Sequence, residues 1–442
     1  MPTSTHYQAK RQITVIESAR GFAALYVLVT HVIELSGIHS TLADGSPLLL
    51  FINLFLIYGH QAVLLFFVLS GFSIHYASVD RDLTRTAAIR QYYYLRWRRI
   101  YPIFLLAVCL TIGLDIAGSA LGITIYQQQL SELSYQQLLF TLSFLTDVHD
   151  VAGVIQPVLH SNGPLWSLSY EVIYYLIYPL YWYINRRFGI GGTLILGIVS
   201  SIASFTAGKL FAANHFLNVL DLYAIWCLGA TLAAMHRRNY RCSLPMPIHA
   251  SIIYILLQSA WILENAVYTV GAFFDITWGL FFFFIMLLYF RTEQISDMRL
   301  GKKTLTLIIS ISGYLVIIAG VERFNFVSNT TLFYSHISLT LALFIFGLSF
   351  RQLDIQSISN NLLKPVYSFG KSSYGIYVIH YPILLFSTQA LVYFKHSVWW
   401  CLAIIPVILI AASFIEDYYQ AFITGYFDPI AQRIGLMKKA GI

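Results

Sequence analysis

Charge is what this 442-residue chain has least of: Asp, Glu, Lys and Arg make up 11% of it, against 58% aliphatic, aromatic and other hydrophobic residues. So little charge cannot cover the surface of a water-soluble protein of this length. Apolar runs of about 20 residues, each enough to cross about 30 Å of hydrocarbon, instead recur from end to end. Cysteine is also scarce, at four residues. Cys109, Cys227 and Cys401 fall within apolar runs and Cys242 in a connecting loop, which supports neither a disulfide framework nor a metal site. There is no low-complexity linker, no internal repeat and no soluble domain of useful size. The first apolar segment lacks a small-residue cleavage site after it, so it is expected to stay in the mature protein rather than leave as a signal peptide.

What is there predicts an all-α, polytopic transmembrane bundle of about 10–12 spans. The apolar runs fall near residues 14–35, 49–78, 101–123, 164–185, 189–208, 216–235, 249–266, 268–290, 304–321, 331–350, 374–394 and 398–418. Residues 1–13 then form a short N-terminal segment, 14–418 the membrane domain and 419–442 a tail. Short inner loops retain positive charge. With the N-terminus inside, all Lys and Arg residues except Lys209, Arg323 and Lys395 fall on the inner side, so both termini are expected to be cytoplasmic. The net charge of +7 is spread over these loops and is explained by topology rather than by a nucleic-acid partner. The longest outer stretch, about 124–163, contains no Lys or Arg. Its short apolar piece, Leu138 to Leu145, is expected to lie on the membrane surface or cap the bundle.

Five segments carry chemistry. In the first span, Arg20 and His31 are eleven residues apart, roughly 20° past three helical turns, so they share one face about 16 Å apart along the axis. Arg20 reads either as an anchor at the inner surface or as the mouth of a path, and His31 either as a packing histidine or as a buried base. An imidazole at that depth can take a proton from an attacking hydroxyl. Next comes Phe66-Phe-Val-Leu-Ser-Gly71, where Ser70 and Gly71 permit close approach of a ligand or of another helix. Arg96-Trp-Arg-Arg99 follows, with Arg96 and Arg99 placed to grip phosphate in bidentate fashion, or to anchor the helix at anionic lipid. The fourth segment runs from Asn162 through Trp166 to Glu171, whose carboxylate is expected within about one turn of the depth of His31, there to orient an imidazole or hold a sugar hydroxyl. The last is Ser373-Tyr374-Gly-Ile-Tyr377-Val-Ile-His380. Tyr374 and Tyr377 lie three apart and face one cavity, and His380 reads as a structural partner or a second base.

In this order and at these spacings, the five segments resemble the acyltransferase-3 family of integral membrane acyltransferases, over nearly the whole chain from Arg20 to Pro382. The resemblance implies transfer of an acyl group, usually acetyl from acetyl-CoA, to a cell-surface glycan. It implies no permanently bound cofactor and no metal. By that resemblance His31 is the catalytic histidine with Arg20 its motif partner, Ser70 and Gly71 belong to the cavity, and Arg96 and Arg99 contact the donor. The span count exceeds the family's usual ten or so, with the surplus between 249 and 350. No segment after residue 419 is expected to form the extracytoplasmic hydrolase-like domain that some members carry.

Together these features predict an enzyme that binds acyl-CoA from the cytoplasm. Arg20, Arg96 and Arg99 would hold the donor, and His31 and Glu171 would be catalytic. Ser70, Gly71, Asn162, Trp166, Tyr374, Tyr377 and His380 would line the cavity or meet the acceptor, a glycan or lipid-linked glycan. The expected location is a bacterial inner membrane, with lipid as the surrounding partner and no oligomeric state indicated. A proton-coupled transporter or flippase for a glycan or small anion uses the same residue types. Such proteins often have paired halves with matching broken helices, a symmetry not seen here. A glycan polymerase, which lengthens chains without adding an ester, is the other alternative.

Overall fold

The structure, a computed structural model, describes residues 4–37, 58–147, 156–210, 218–238, 252–253, 256, 271–289, 364–394 and 398–437. The expected spans at 304–321 and 331–350 lie outside these described residues, as does nearly all of 249–266. The fold is all-α as expected. Two two-residue strands, β1 (Thr146–Asp147) and β2 (Gln156–Pro157), pair in parallel. Five helices among the described residues are long and apolar enough to cross a membrane: Val15–Ser36, Gly59–Ser78, Thr86–Ala120, Ser373–Tyr393 and Trp400–Arg433.

In chain order the elements are α1 (Ser4–Ser36), α2 (Gly59–Ser78), α3 (Thr86–Ala120), the short α4 (Thr124–Glu132) and α5 (Tyr135–Leu142), a 3₁₀ turn at His160–Leu165, and α6 (Trp166–Leu210). Then come α7 (Asn218–Arg237), α8 (Gly271–Tyr289), α9 (Tyr367–Lys371), α10 (Ser373–Tyr393), α11 (Ile404–Phe414) and α12 (Gln420–Arg433). Helix α7 packs between α2, α6 and α8, while α1 packs against α2, α9 and α10, and α10 against α3 and α11. Tyr174, Tyr178 and Tyr181 of α6, on one face at helical spacing, are fully buried around Trp226 of α7.

Helices do not end where hydrocarbon ends, and three boundaries move for that reason. α1 starts ten residues before the expected span, and α3 starts at Thr86 rather than near 101, so its arginines are helical. The last helix continues through a π-helical turn, Ile415–Tyr419, into α12, so most of the expected tail extends the final span. The turn expected between the fourth and fifth spans is there: Gly189 has φ 70° and ψ −162°, which breaks the direction of α6 and which a residue with a Cβ adopts only under strain.

Two reciprocal glycine contacts bring backbones together. A Cβ on Gly71 would lie 2.0 Å from the Trp226 carbonyl oxygen, and one on Gly229 would lie 1.9 Å from that of Val68, which locks α2 to α7. Gly21 and Gly370 do the same for α1 and α9: their Cβ atoms would meet Val366 O at 2.3 Å and Glu17 O at 1.9 Å.

Three of the prolines inside helices, Pro102, Pro179 and Pro382, each leave the carbonyl four residues earlier without its N–H partner and have that carbonyl served from elsewhere. In every case a side chain from another element supplies the donor. Pro102 frees the Arg98 carbonyl, which accepts from Gln420 Nε2 at 3.1 Å. Pro179 frees that of Tyr175, which accepts from the Tyr92 hydroxyl at 3.1 Å. Pro382 frees that of Val378, which accepts from Asn162 Nδ2 at 3.0 Å. Hydrocarbon offers no water to satisfy such groups, so these bonds tie the bent helices to their neighbours.

Candidate active site

Helices α1, α2, α6 and α10 line a small, partly open cleft, bounded by Arg20, Val63, Phe66, Phe67, Ser70, Ser167, Leu168, Glu171, Ser373, Tyr374 and Tyr377. Five of the expected site residues, Arg20, Ser70, Glu171, Tyr374 and Tyr377, therefore converge from four helices. Gly71 does not line this cleft: it is spent on the close approach of α2 to α7, while Ser70, the next residue, points into it.

A hydrogen-bond cluster sits at the wall of the cleft. Ser70 Oγ donates to Glu171 Oε1 at 2.7 Å, the Tyr175 hydroxyl donates to the same oxygen, and Trp226 Nε1 donates to Ser70 Oγ at 3.3 Å. Tyr175 is one helical turn after Glu171, so the spacing Glu-x-x-x-Tyr was the available signal for a residue that the sequence reading passed over. Tyr377 bonds Ser167 Oγ at 2.6 Å and donates to the Pro164 carbonyl at 2.9 Å. Tyr374 donates to the Ile100 carbonyl at 3.0 Å.

His31 lies farther along α1 than the cleft, and its partner is His380 rather than Glu171. The two rings meet through His31 Nδ1 and His380 Nε2 at 2.9 Å, and Tyr381 packs edge-on against His31, at 5.2 Å between centroids. The tautomers follow from the partners. His380 Nδ1 faces only carbonyl oxygens, those of Tyr377 at 2.7 Å and Ile376 at 3.1 Å, so it carries the proton. The neutral ring's Nε2 is then a bare acceptor, so His31 Nδ1 must donate to it. His31 Nε2 is left with its lone pair, the state required of a base or nucleophile. Glu171 was expected to orient an imidazole or hold a sugar hydroxyl; its hydrogen-bond partners among the described residues are Ser70 and Tyr175, and the imidazole of His31 meets fully buried His380 instead.

The arginines separate. Arg99 forms a two-pronged ion pair with Glu416 of the π-helical turn, and Glu416 also accepts from the Gly375 N–H at 3.1 Å in the first turn of α10. Arg98 pairs with Asp428 of α12, which Tyr94 also bonds at 2.8 Å. Neither acid lies near the motif in sequence, so no local pattern announced these pairs. Arg96 lies over the Tyr92 ring at 5.8 Å, with its buried Nε unpartnered. Arg20 is 3.8 Å from Glu17 and faces the cleft.

Asn162 and Trp166 sit apart from the cleft. Asn162 is fully buried and donates to Thr111 Oγ1 at 3.1 Å, nine residues before the end of α3. At 1.5 Å per residue that is about 13 Å in from the helix end, so the 3₁₀ turn enters the bundle instead of resting on it. Irregular backbone survives at such depth only when enclosed by protein. Trp166 lies parallel to His60 at 6.4 Å and edge-on to Tyr170, and His60 in turn bonds Asp275 at 2.9 Å.

Comparison with known proteins matches residues 13–296 to the model of the acyltransferase-3 family, described as an acyltransferase domain. The chain is 28% identical over 222 residues to an uncharacterized protein of Haemophilus influenzae, an alignment covering 46% of this chain and 86% of that protein. It is 31% identical over 171 residues to acyltransferase MdmB of Streptomyces mycarofaciens, covering 38% of each. No solved structure matches it significantly. The family match extends over more than half of a helical chain in which the motif residues Arg20, Ser70, Glu171, Tyr374 and Tyr377 line one cleft and His31 is held by His380, and the chain belongs to the acyltransferase-3 family of membrane acyltransferases.

Proposed function

We propose that this acyltransferase moves an acyl group, acetyl in the simplest case, from cytoplasmic acyl-CoA to a hydroxyl of a cell-surface or lipid-linked glycan, in a bacterial inner membrane with both chain termini cytoplasmic. The observation that supports the reading is the His31–His380 contact, in which the carbonyls facing His380 Nδ1 favour the tautomers that give His31 Nε2 a free lone pair. Nε2 takes the acceptor hydroxyl's proton as that oxygen attacks the thioester carbonyl. The C–S bond breaks and the proton passes to the departing CoA sulfur. In the covalent variant Nε2 itself attacks, the C–S bond breaks and CoA leaves as its thiolate; the acceptor oxygen then attacks the acyl carbon, the C–N bond breaks to return the neutral ring, and the acceptor's proton ends on the CoA sulfur. Both routes put positive charge on His31, and the bare His380 Nε2 opposite its Nδ1–H stabilises that charge.

The charged nucleotide end of the donor cannot enter hydrocarbon. Half-buried Arg96, held by no carboxylate among the described residues, and Arg20 at the cleft are the guanidinium groups we assign to its phosphates. Arg99, engaged by Glu416, contributes by fixing the start of α10. The test is turnover of radiolabelled acetyl-CoA by the protein in lipid nanodiscs with membrane glycan extract. Wild type is expected to release or transfer label, His31→Ala to abolish it, and Arg96→Ala to raise KM for the donor. Acid-stable trapping of label on the protein in the absence of acceptor separates the covalent route from the base route. No binding or turnover of any acyl-CoA by the wild type overturns the proposal and favours transport.

A further inference from the structure

We infer that Asn162 is a positioning residue for the His31–His380 pair, acting through the backbone carbonyl that Pro382 leaves open. This rests on the functional reading of His31. The chain of contacts begins with the ring. His380 Nδ1 donates to the carbonyls of Ile376 and Tyr377, so its orientation is set by the backbone of the turn just before it. Val378 lies in that same turn. Its carbonyl would normally accept from the N–H of residue 382, but Pro382 has none, and a proline ring crowds the carbonyl four residues before it. Without another donor, the Val378 carbonyl in the turn before His380 would be left unsatisfied.

Asn162 Nδ2 replaces the missing donor at 3.0 Å and is itself held by Thr111 Oγ1 at 3.1 Å, while the Thr111 hydroxyl donates to Ala107 O at 2.8 Å within α3. The backbone of Asn162 is fixed as well, by its N–H to Leu159 O at 2.8 Å. The bent turn of α10 is thus tied to α3 through one buried amide. An asparagine suits this place because its amide nitrogen has two hydrogens, one for each acceptor. A displacement of the turn by a few tenths of an ångström would tilt His380 and lengthen its bond to His31. Asn162 touches neither ring, so it is a positioning residue and not a catalytic one.

The test is a double-mutant cycle with Pro382→Ala, which returns an N–H to the helix and gives the Val378 carbonyl its own partner. With acetyl-CoA as the probe in nanodiscs, Asn162→Ala is expected to lower kcat about thirtyfold with KM for the donor within twofold of wild type. In the Pro382→Ala background the same substitution is expected to cost less than threefold. An equal loss in both backgrounds, a loss confined to KM, or no loss overturns the inference. Where Asn162→Ala fails to accumulate, Asn162→Leu, of similar size and without a donor, takes its place. Nitrogen-15 spectra of histidine-labelled protein read the tautomers directly, with His380 protonated at Nδ1 in wild type and its signal shifted or doubled in Asn162→Ala. If wild type turns over no acyl-CoA, the functional reading fails on its own, and unchanged imidazole signals in the variant still overturn the positioning role.

Discussion

Replacing His380 by leucine or by glutamine separates the two ways it can matter. Leucine fills much of the space and offers no acceptor, so the His31 Nδ1–H loses its 2.9 Å partner inside the protein. Losing a hydrogen bond costs about 0.5–1.5 kcal/mol between neutral groups and about 1.5–3 kcal/mol once the ring is charged, as it is in the transition state of either route, with the half-buried His31 ring keeping its bond to the Val27 backbone. The loss therefore falls mainly on the transition state. About 2.7 kcal/mol corresponds to roughly 100-fold in kcat. Glutamine reaches as far as the imidazole Nε2 and presents an amide oxygen that accepts from the same N–H, so its kcat is expected within about fivefold of wild type. KM for the donor is expected to change little in either variant, because His380 does not line the cleft. The assay is initial-rate acetyl-CoA turnover in nanodiscs, with thermal stability measured in parallel. A leucine variant within twofold of wild type, or a glutamine variant as impaired as leucine, refutes the tautomer assignment.

Three further substitutions probe the scaffold and the assignment of the arginines. Glu416→Ala leaves Arg99 without its acid and the Gly375 N–H without its acceptor, and is expected to cost about 2–4 kcal/mol of stability, seen as a lower unfolding temperature, with any protein that folds keeping its donor KM. A raised KM with unchanged stability would instead place Arg99 among the donor contacts. Gly71→Ala puts a methyl carbon 2.0 Å from the Trp226 carbonyl oxygen and is expected to force α2 from α7 by about 1 Å, at a cost of roughly 1–3 kcal/mol. Because Ser70 is the adjacent residue, activity should fall with stability; wild-type values for both would exclude the close contact. Tyr92→Phe removes the hydroxyl that serves the Tyr175 carbonyl freed by Pro179 and is expected to cost about 1–3 kcal/mol in thermal stability, whereas a melting temperature equal to wild type would mean that this carbonyl finds another partner.

Helical class, and the helices that fall on described residues, were legible because hydropathy and charge bias act over twenty residues at a time, and a lipid environment leaves helices as the only open-ended solution. Boundaries were less so: α3 and α12 run past the apolar stretch because nothing in Thr86–Tyr101 or Tyr419–Arg433 breaks a helix except Pro429, which α12 absorbs. The cleft residues were legible as motifs, since Arg20, Ser70, Glu171, Tyr374 and Tyr377 each project from a recognisable helical segment. Their pairings were not. Counting residues from the helix ends put Glu171 within about one turn of the depth of His31, but Glu171 lines the cleft beside Arg20 while His31 lies farther along α1, where α10 brings His380 to it. Glu416 and Asp428 lie more than 300 residues from the arginines they neutralise, so an arginine motif read as free cation turned out to be partly built into the framework.

The prolines show why pairing at a distance decides the site. An unbroken helix satisfies its own backbone and is indifferent to its neighbours' polar groups, so in hydrocarbon it slides and rotates at small cost. A proline removes that indifference, because the carbonyl it frees must find a donor and only another part of the protein can supply one. These three freed carbonyls lie beside residues of the candidate site or its frame: that of Arg98 next to Arg99, that of Tyr175 on the residue that bonds Glu171, and that of Val378 in the turn before His380. Each takes its donor from a different side chain, Gln420, Tyr92 and Asn162, so each bend is tied to one partner and one orientation. Where a soluble enzyme can use packed loops to hold its groups still, a chain with this little polar surface obtains the same fixity from the helix bonds it leaves unmade.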